Sequence, residues 1–177
     1  MKRILSILFA LVIVISACAQ PSRLRQRLEI AEVTSEDINS VFLQVFKMPD
    51  VGRYYLSVGT LGAGDDFIQI QVDPLSELFL PLGETLAESL ENLQRIQSLY
   101  KQDPGTIDYM DGCLGLSYPG EELEPITLTA RKFALSRLVE FSVVRGNWIR
   151  ATHVSKSDFN SLVGSFKIYC KLHPKEK

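Results

Sequence analysis

An α+β fold is expected, with antiparallel β-sheet covered by two amphipathic helices and a candidate duplication of four to five strands and one helix. Three observations predict it. Short runs alternate apolar and polar residues with period two, as in Phe67 to Val72. Two stretches carry apolar residues at helical spacing, Glu84 to Lys101 and the run that follows Ser155. Each of these ends near an X-Pro step, Asp103-Pro104 and His173-Pro174, and counting back from the prolines aligns Leu93 with Val163 and Ile96 with Phe166.

The chain opens on an export pattern. Lys2 and Arg3 are basic, Ile4 to Ile15 is apolar except for Ser6, and Ser16-Ala17-Cys18-Ala19 is small. The apolar run is shorter than the roughly 20 residues a spanning helix needs. Ile15-Ser16-Ala17-Cys18 resembles a bacterial lipobox, which implies acylation of Cys18 and a mature chain that starts there. The competing expectation is cleavage after Ala17-Cys18-Ala19, which fits an A-x-A site and frees Gln20. The expected division is a signal over residues 1–17, a tether over 18–24, one α+β domain over 25–174 and a tail over 175–177. Acyl chains would hold the protein to a membrane without a spanning helix.

Within the domain, Arg25 to Val33 alternates as a first strand, and Ser40 to Phe46 places Val41, Leu43 and Val45 on one face of a second. Pro49-Asp50-Val51-Gly52 breaks the pattern before a third strand, Arg53 to Val58. Phe67 to Val72 is a further strand that Asp73-Pro74 ends, and Leu78 to Leu82 is a short apolar one. The first helix carries Leu86, Leu90, Leu93, Ile96, Leu99 and Tyr100 on one stripe. Thr106 to Tyr118 reads as a strand region interrupted at Asp111-Gly112, followed by the acidic loop Pro119 to Pro125. Ile126 to Leu135, Leu138 to Arg145 and Trp148 to Val154 are strands, the last two joined at Gly146-Asn147, whose residues suit a primed hairpin turn. Ser155 and Asp158 have capping-box-like spacing ahead of a helical stripe of Phe159, Leu162, Val163, Phe166, Tyr169 and Cys170.

The 177 residues carry 19 basic and 21 acidic side chains. Removing residues 1–17 takes Lys2 and Arg3 and no acid, which leaves 160 residues with 17 against 21, net −4. Such a balance gives no basic surface for a phosphate backbone, so no nucleic-acid partner is expected. Arg23, Arg25 and Arg27 follow the proposed anchor, placed either to meet anionic headgroups or to form a solvated linker. With Cys18 acylated, Cys113 and Cys170 are the candidate disulfide pair in an oxidising compartment, two separate thiols being the alternative.

The candidate sites are few. Asp65 and Asp66 follow a glycine-rich loop that offers oxygen ligands to Ca²⁺, although the same residues serve a hairpin turn and no metal or cofactor is expected. A two-residue loop at Gly146-Asn147 sets the pairing of Val143 with Arg150, Phe141 with Thr152 and Glu140 with His153. Glu140, Ser142 and His153 then share a face, the residue types of a hydrolytic triad. Ser142, however, is diagonal to His153 at about 7–8 Å, too far for a nucleophile and its base. Arg145, Trp148 and Arg150 form a candidate stacking surface for a ligand. Tyr54, Tyr55 and Tyr118 are aromatic strand residues that a carbohydrate or peptide surface also uses. The function expected is that of an exported, membrane-anchored bacterial cell-envelope lipoprotein that binds or scaffolds, with an envelope protein as candidate partner. The alternatives are a periplasmic or secreted soluble form, a small-ligand domain with an apolar cavity, and a hydrolase.

Overall fold

The computed structural model describes residues 28–34, 41–49, 51–60, 77–114, 123–145 and 148–176. These form one eight-stranded antiparallel sheet and two α-helices. The strands are β1 (Leu28–Thr34), β2 (Val41–Met48), β3 (Arg53–Thr60), β4 (Glu77–Gly83), β5 (Ile107–Leu114), β6 (Glu124–Phe133), β7 (Ser136–Arg145) and β8 (Trp148–Ser155). Helix α1 (Leu86–Leu99) lies between β4 and β5, α2 (Lys156–Leu172) follows β8, and a 3₁₀ turn (Pro174–Glu176) ends the described chain. Every strand pairs with its neighbours in sequence, so the sheet is a simple meander from β1 to β8. The strand expected at Phe67 to Val72 lies outside the described residues.

Period-two patterning decides which side chains meet the helices. Leu43 and Val45 of β2, Tyr54, Leu56 and Val58 of β3, and Leu78, Leu80 and Leu82 of β4 point inward. Ile126 and Leu128 of β6 join Val139, Phe141 and Val143 of β7 and Val154 of β8 on the same inner side. Leu86, Leu93, Ile96 and Leu99 of α1 and Phe159, Leu162, Val163 and Phe166 of α2 share this core. Leu90, Tyr169 and Cys170 are only partly buried beside it. Burying a side chain of this kind contributes roughly 1.5–3 kcal/mol. The sheet coils far enough for β8 to approach β2 and β3, and α2 packs on both β1 and β8.

Helix starts are set by side chains that satisfy orphan backbone amides. Thr85 Oγ1 accepts from Glu88 N at 3.2 Å while Glu88 Oε2 accepts from Thr85 N at 3.2 Å, a reciprocal capping box. These bonds from the Glu84 and Thr85 amides hold the Glu88 carboxyl below its ordinary range. At α2, Ser155 Oγ accepts from Asp158 N at 3.1 Å and donates to Asp158 Oδ2 at 2.7 Å. Asp is one methylene shorter than the usual Glu, and its carboxylate accepts a hydrogen bond from the Ser155 hydroxyl here. His173 caps the other end, its backbone N–H and its Nδ1 both at 3.0 Å from Tyr169 O.

One expectation is corrected at β5. Asp111-Gly112 does not interrupt the strand, which runs unbroken from Ile107 to Leu114. Gly112 is there because the space is taken: a Cβ would sit 2.6 Å from Ile126 Cγ1 and 2.8 Å from Phe79 O. This is the close approach that lets β5 reach β4, to which it is joined by two described residue pairs, Leu78 with Leu114 and Phe79 with Cys113.

Candidate functional site

The β7–β8 hairpin has the register that a two-residue loop implies. Arg145 pairs with Trp148, Val143 with Arg150, Phe141 with Thr152 and Glu140 with His153. Glu140 and His153 consequently meet on the outer side of the sheet, Oε2 to Nε2 at 3.1 Å. Arg131 of β6, diagonal to Glu140 across the next ladder, completes the cluster. Its Nη2 donates to Glu140 Oε1 at 3.0 Å and its Nε to Oε2 at 3.2 Å, a bidentate fork. Arg131, and after it His153, holds the Glu140 carboxyl below the usual carboxylate range against the opposing effect of burial.

Ser142 is not drawn into this cluster. It pairs with Ala151 and Thr127 in the ladders, and it makes no hydrogen bond to Glu140 or His153 among the described residues. A Ser–His–acid relay needs the imidazole between hydroxyl and carboxylate. Here Nε2 is engaged by the carboxylate, which is itself clamped by a guanidinium. Arg131 escaped the sequence reading because its position depends on the β6–β7 turn, and Ala134-Leu135 carries neither Gly nor Asn to mark one.

A second grouping lies on the outer side of strands β2 to β5. Gln44, Ser57, Phe79 and Cys113 occupy successive register positions across β2, β3, β4 and β5, a straight row over the sheet. Phe46, Met48 and Tyr55 join Phe79 and Cys113 in a buried cluster separate from the main core. Phe46 stacks on Tyr55 at 5.7 Å between centroids and meets Phe79 edge-on at 5.9 Å. Gln44 and Ser57, directly opposed, are both fully buried. The amide of Gln44 and the hydroxyl of Ser57 have no hydrogen-bond partner among the described residues. A buried amide or hydroxyl left unpaired costs on the order of 1–3 kcal/mol, so such a pair calls for a reason. A signal was present in the sequence, since Val41 to Met48 reads VFLQVFKM, apolar at positions of both faces.

The remaining candidates stand as follows. Cys113 and Cys170 are not bonded to each other. Cys113 belongs to the outer cluster, where its Sγ lies 3.9 Å from Phe79 O, whereas Cys170 packs against the inner core. The sheet lies between the two groups, so the candidate disulfide is not made, and burial pushes the Cys170 thiol up. Tyr54 and Tyr55 are fully buried on opposite faces and offer no open binding surface. The backbones of Arg145, Trp148 and Arg150 are placed in the ladder, but their side chains lie outside the described residues. Cys18, Asp65, Asp66 and Tyr118 also lie outside them. Among the described residues there is no cluster of His, Cys, Asp and Glu able to hold a metal, and no helix long and apolar enough to cross a membrane. Comparison of the chain with protein-family models and with curated protein sequences finds no match.

Proposed function

We infer that the chain is an exported bacterial cell-envelope lipoprotein, anchored through acylated Cys18, whose α+β domain binds or scaffolds rather than catalyses. The address rests on the order of charge, apolar run and small residues in Met1 to Gln20. The observation that carries the binding half is the Gln44–Ser57 pair, fully buried beside the aromatic outer cluster and without a hydrogen-bond partner among the described residues, so that a partner would meet it only as that face opens. An amide and a hydroxyl held side by side offer donors and acceptors together, which suits a neutral polar group on an apolar partner. The inner side favours such a role less, because Tyr54, Phe141, Phe159 and Phe166 occupy it. A hydrolase reading through Glu140, Ser142 and His153 draws no support from Ser142.

We also read the fold as a duplication in which each half is four strands followed by a covering helix. The order of elements supports this, as does the burial of Leu93, Ile96, Val163 and Phe166 at matching distances from Pro104 and Pro174.

Mass spectrometry of the chain isolated from native membranes tests the anchor, with Cys18→Ala as control. An acylated peptide beginning at Cys18 is expected, and an unacylated chain beginning at Gln20 refutes it. Binding is tested by the double substitution Gln44→Met, Ser57→Ala. It is expected to raise the denaturation midpoint, since two unpaired polar groups disappear, while abolishing co-purification of the native partner. A partner retained undiminished removes the role assigned to this pair.

A further inference from the structure

We propose that the tip of the β6–β7 hairpin is a membrane-contact element that inserts Phe133 and Leu135 into a lipid surface with anionic headgroups. The turn itself is the first observation. Phe133 and Ser136 form the last pair of the ladder, which leaves Ala134 and Leu135 as a two-residue loop. Such loops favour Asn and Gly, because positive φ is required. Here the positive φ, 51°, falls on Ala134. Leu135 is 97% exposed and Phe133 76% exposed, the two most exposed large apolar residues among those described. The place where local chemistry calls for polar residues thus carries two apolar ones facing water, a conflict expected where a surface serves contact.

The charges around the tip specify the partner. Lys132 and Arg137 are directly opposed in the ladder, and like charges in that position repel. Arg131 lies one residue further back, and Arg137 is steadied by donating to Gln102 O at 2.9 Å. The acids of this region include Asp103, in the loop beside the hairpin base, and Glu140, already clamped by Arg131. An apolar point backed by cations matches a bilayer whose headgroups are anionic and whose interior lies just beneath.

Topology puts the tip where a membrane would be. In an antiparallel meander the connections alternate between the two ends of the sheet, so the β2–β3 and β6–β7 turns share the end at which β1 begins. Leu28 starts β1 ten residues after Cys18, at most about 35 Å of extended chain. Arg23, Arg25 and Arg27 fall within that span. The placement of the tip beside a membrane rests on the lipoprotein reading; its exposure and charge do not.

The test uses the full chain with Leu135→Trp in a Trp148→Phe background, so that one indole reports on the tip. On phosphatidylglycerol vesicles its emission is expected to shift to shorter wavelength and to be quenched by acyl-brominated lipid. Both effects are expected to weaken on phosphatidylcholine, in raised salt and when Lys132→Glu and Arg137→Glu are added. An indole that stays in water on vesicle-bound protein overturns the proposal. So does a shift without vesicles that grows with protein concentration, which would assign the tip to self-association. Equal insertion into both lipids at all salt concentrations overturns the anionic partner. Mass spectrometry of the same preparation separates the two readings: acylated Cys18 with a water-exposed indole sinks only this proposal, and an inserted indole without acylation sinks only the anchor.

Discussion

Glu140 is held by Arg131 and His153, and the guanidinium sets how its contribution varies with pH. Arg131 stays charged at any pH the fold survives. Because Arg131 keeps the folded carboxyl below its unfolded value, the folded state binds that proton less tightly. The stability it supplies is therefore fully present above the unfolded pKa of about 4.3 and drains away as pH falls through the lower folded value. Arg131 is half exposed, so the effect is small. Glu140→Gln is expected to cost roughly 0.5–1 kcal/mol at neutral pH and almost nothing near pH 3, read from urea midpoints at each pH. A loss of equal size at both pH values would show that packing, not charge, is what the side chain provides. At this scale the Glu140–His153 contact was legible because one turn signal fixed one register. Gln44 and Ser57 were not, because a reading that follows Val41, Leu43 and Val45 on one face passes over Phe42, Phe46 and Met48 on the other.

Elements were legible where apolar spacing was strong and turn chemistry explicit. Both helices fall within two residues of their expected starts, since Thr85 and Ser155 cap them with oxygen acceptors. The β7–β8 hairpin likewise follows from Gly146-Asn147. The β6–β7 turn was less legible: its strands were expected, but Leu135 was assigned to the first of them because Ala and Leu carry no turn signature. Gly112 misled in the opposite sense, since glycine in a strand pattern marks either a break or a close approach. The geometry here is approach, so Gly112→Ala must displace Ile126 or open the β4–β5 contact. A loss of about 1–3 kcal/mol is expected, as for other overpacked sites, and should appear as a lower thermal midpoint. Faster amide exchange at Leu78 and Leu114 should accompany it, because these residues belong to the narrow junction.

At the scale of the whole molecule, α+β class and antiparallel pairing followed from patterning, whereas the union of eight strands into one sheet did not. Nothing in a local window shows that Phe79 and Cys113 meet, or that the sheet coils until β8 nears β2. The coiling brings together residues of the shared core, whereas Phe79 and Cys113 meet in the outer cluster. Phe166, fully buried and edge-on to Tyr54 at 6.5 Å, belongs to the shared core and joins α2 to β3. Phe166→Ala is expected to cost about 3–5 kcal/mol, measured by denaturant unfolding, and a cost below 1 kcal/mol would show that this contact does not hold α2 to the sheet. The packing of α2 against β1 has a further consequence, one of timing. A meander lets each new strand add to the one before it, so most contacts form early and locally. The first strand is the exception, because its inner side waits for the last helix. A chain threaded from its N-terminus through a translocation pore would therefore stay open to the end, and would close only when Phe159 to Phe166 emerge to seal the strand that entered first.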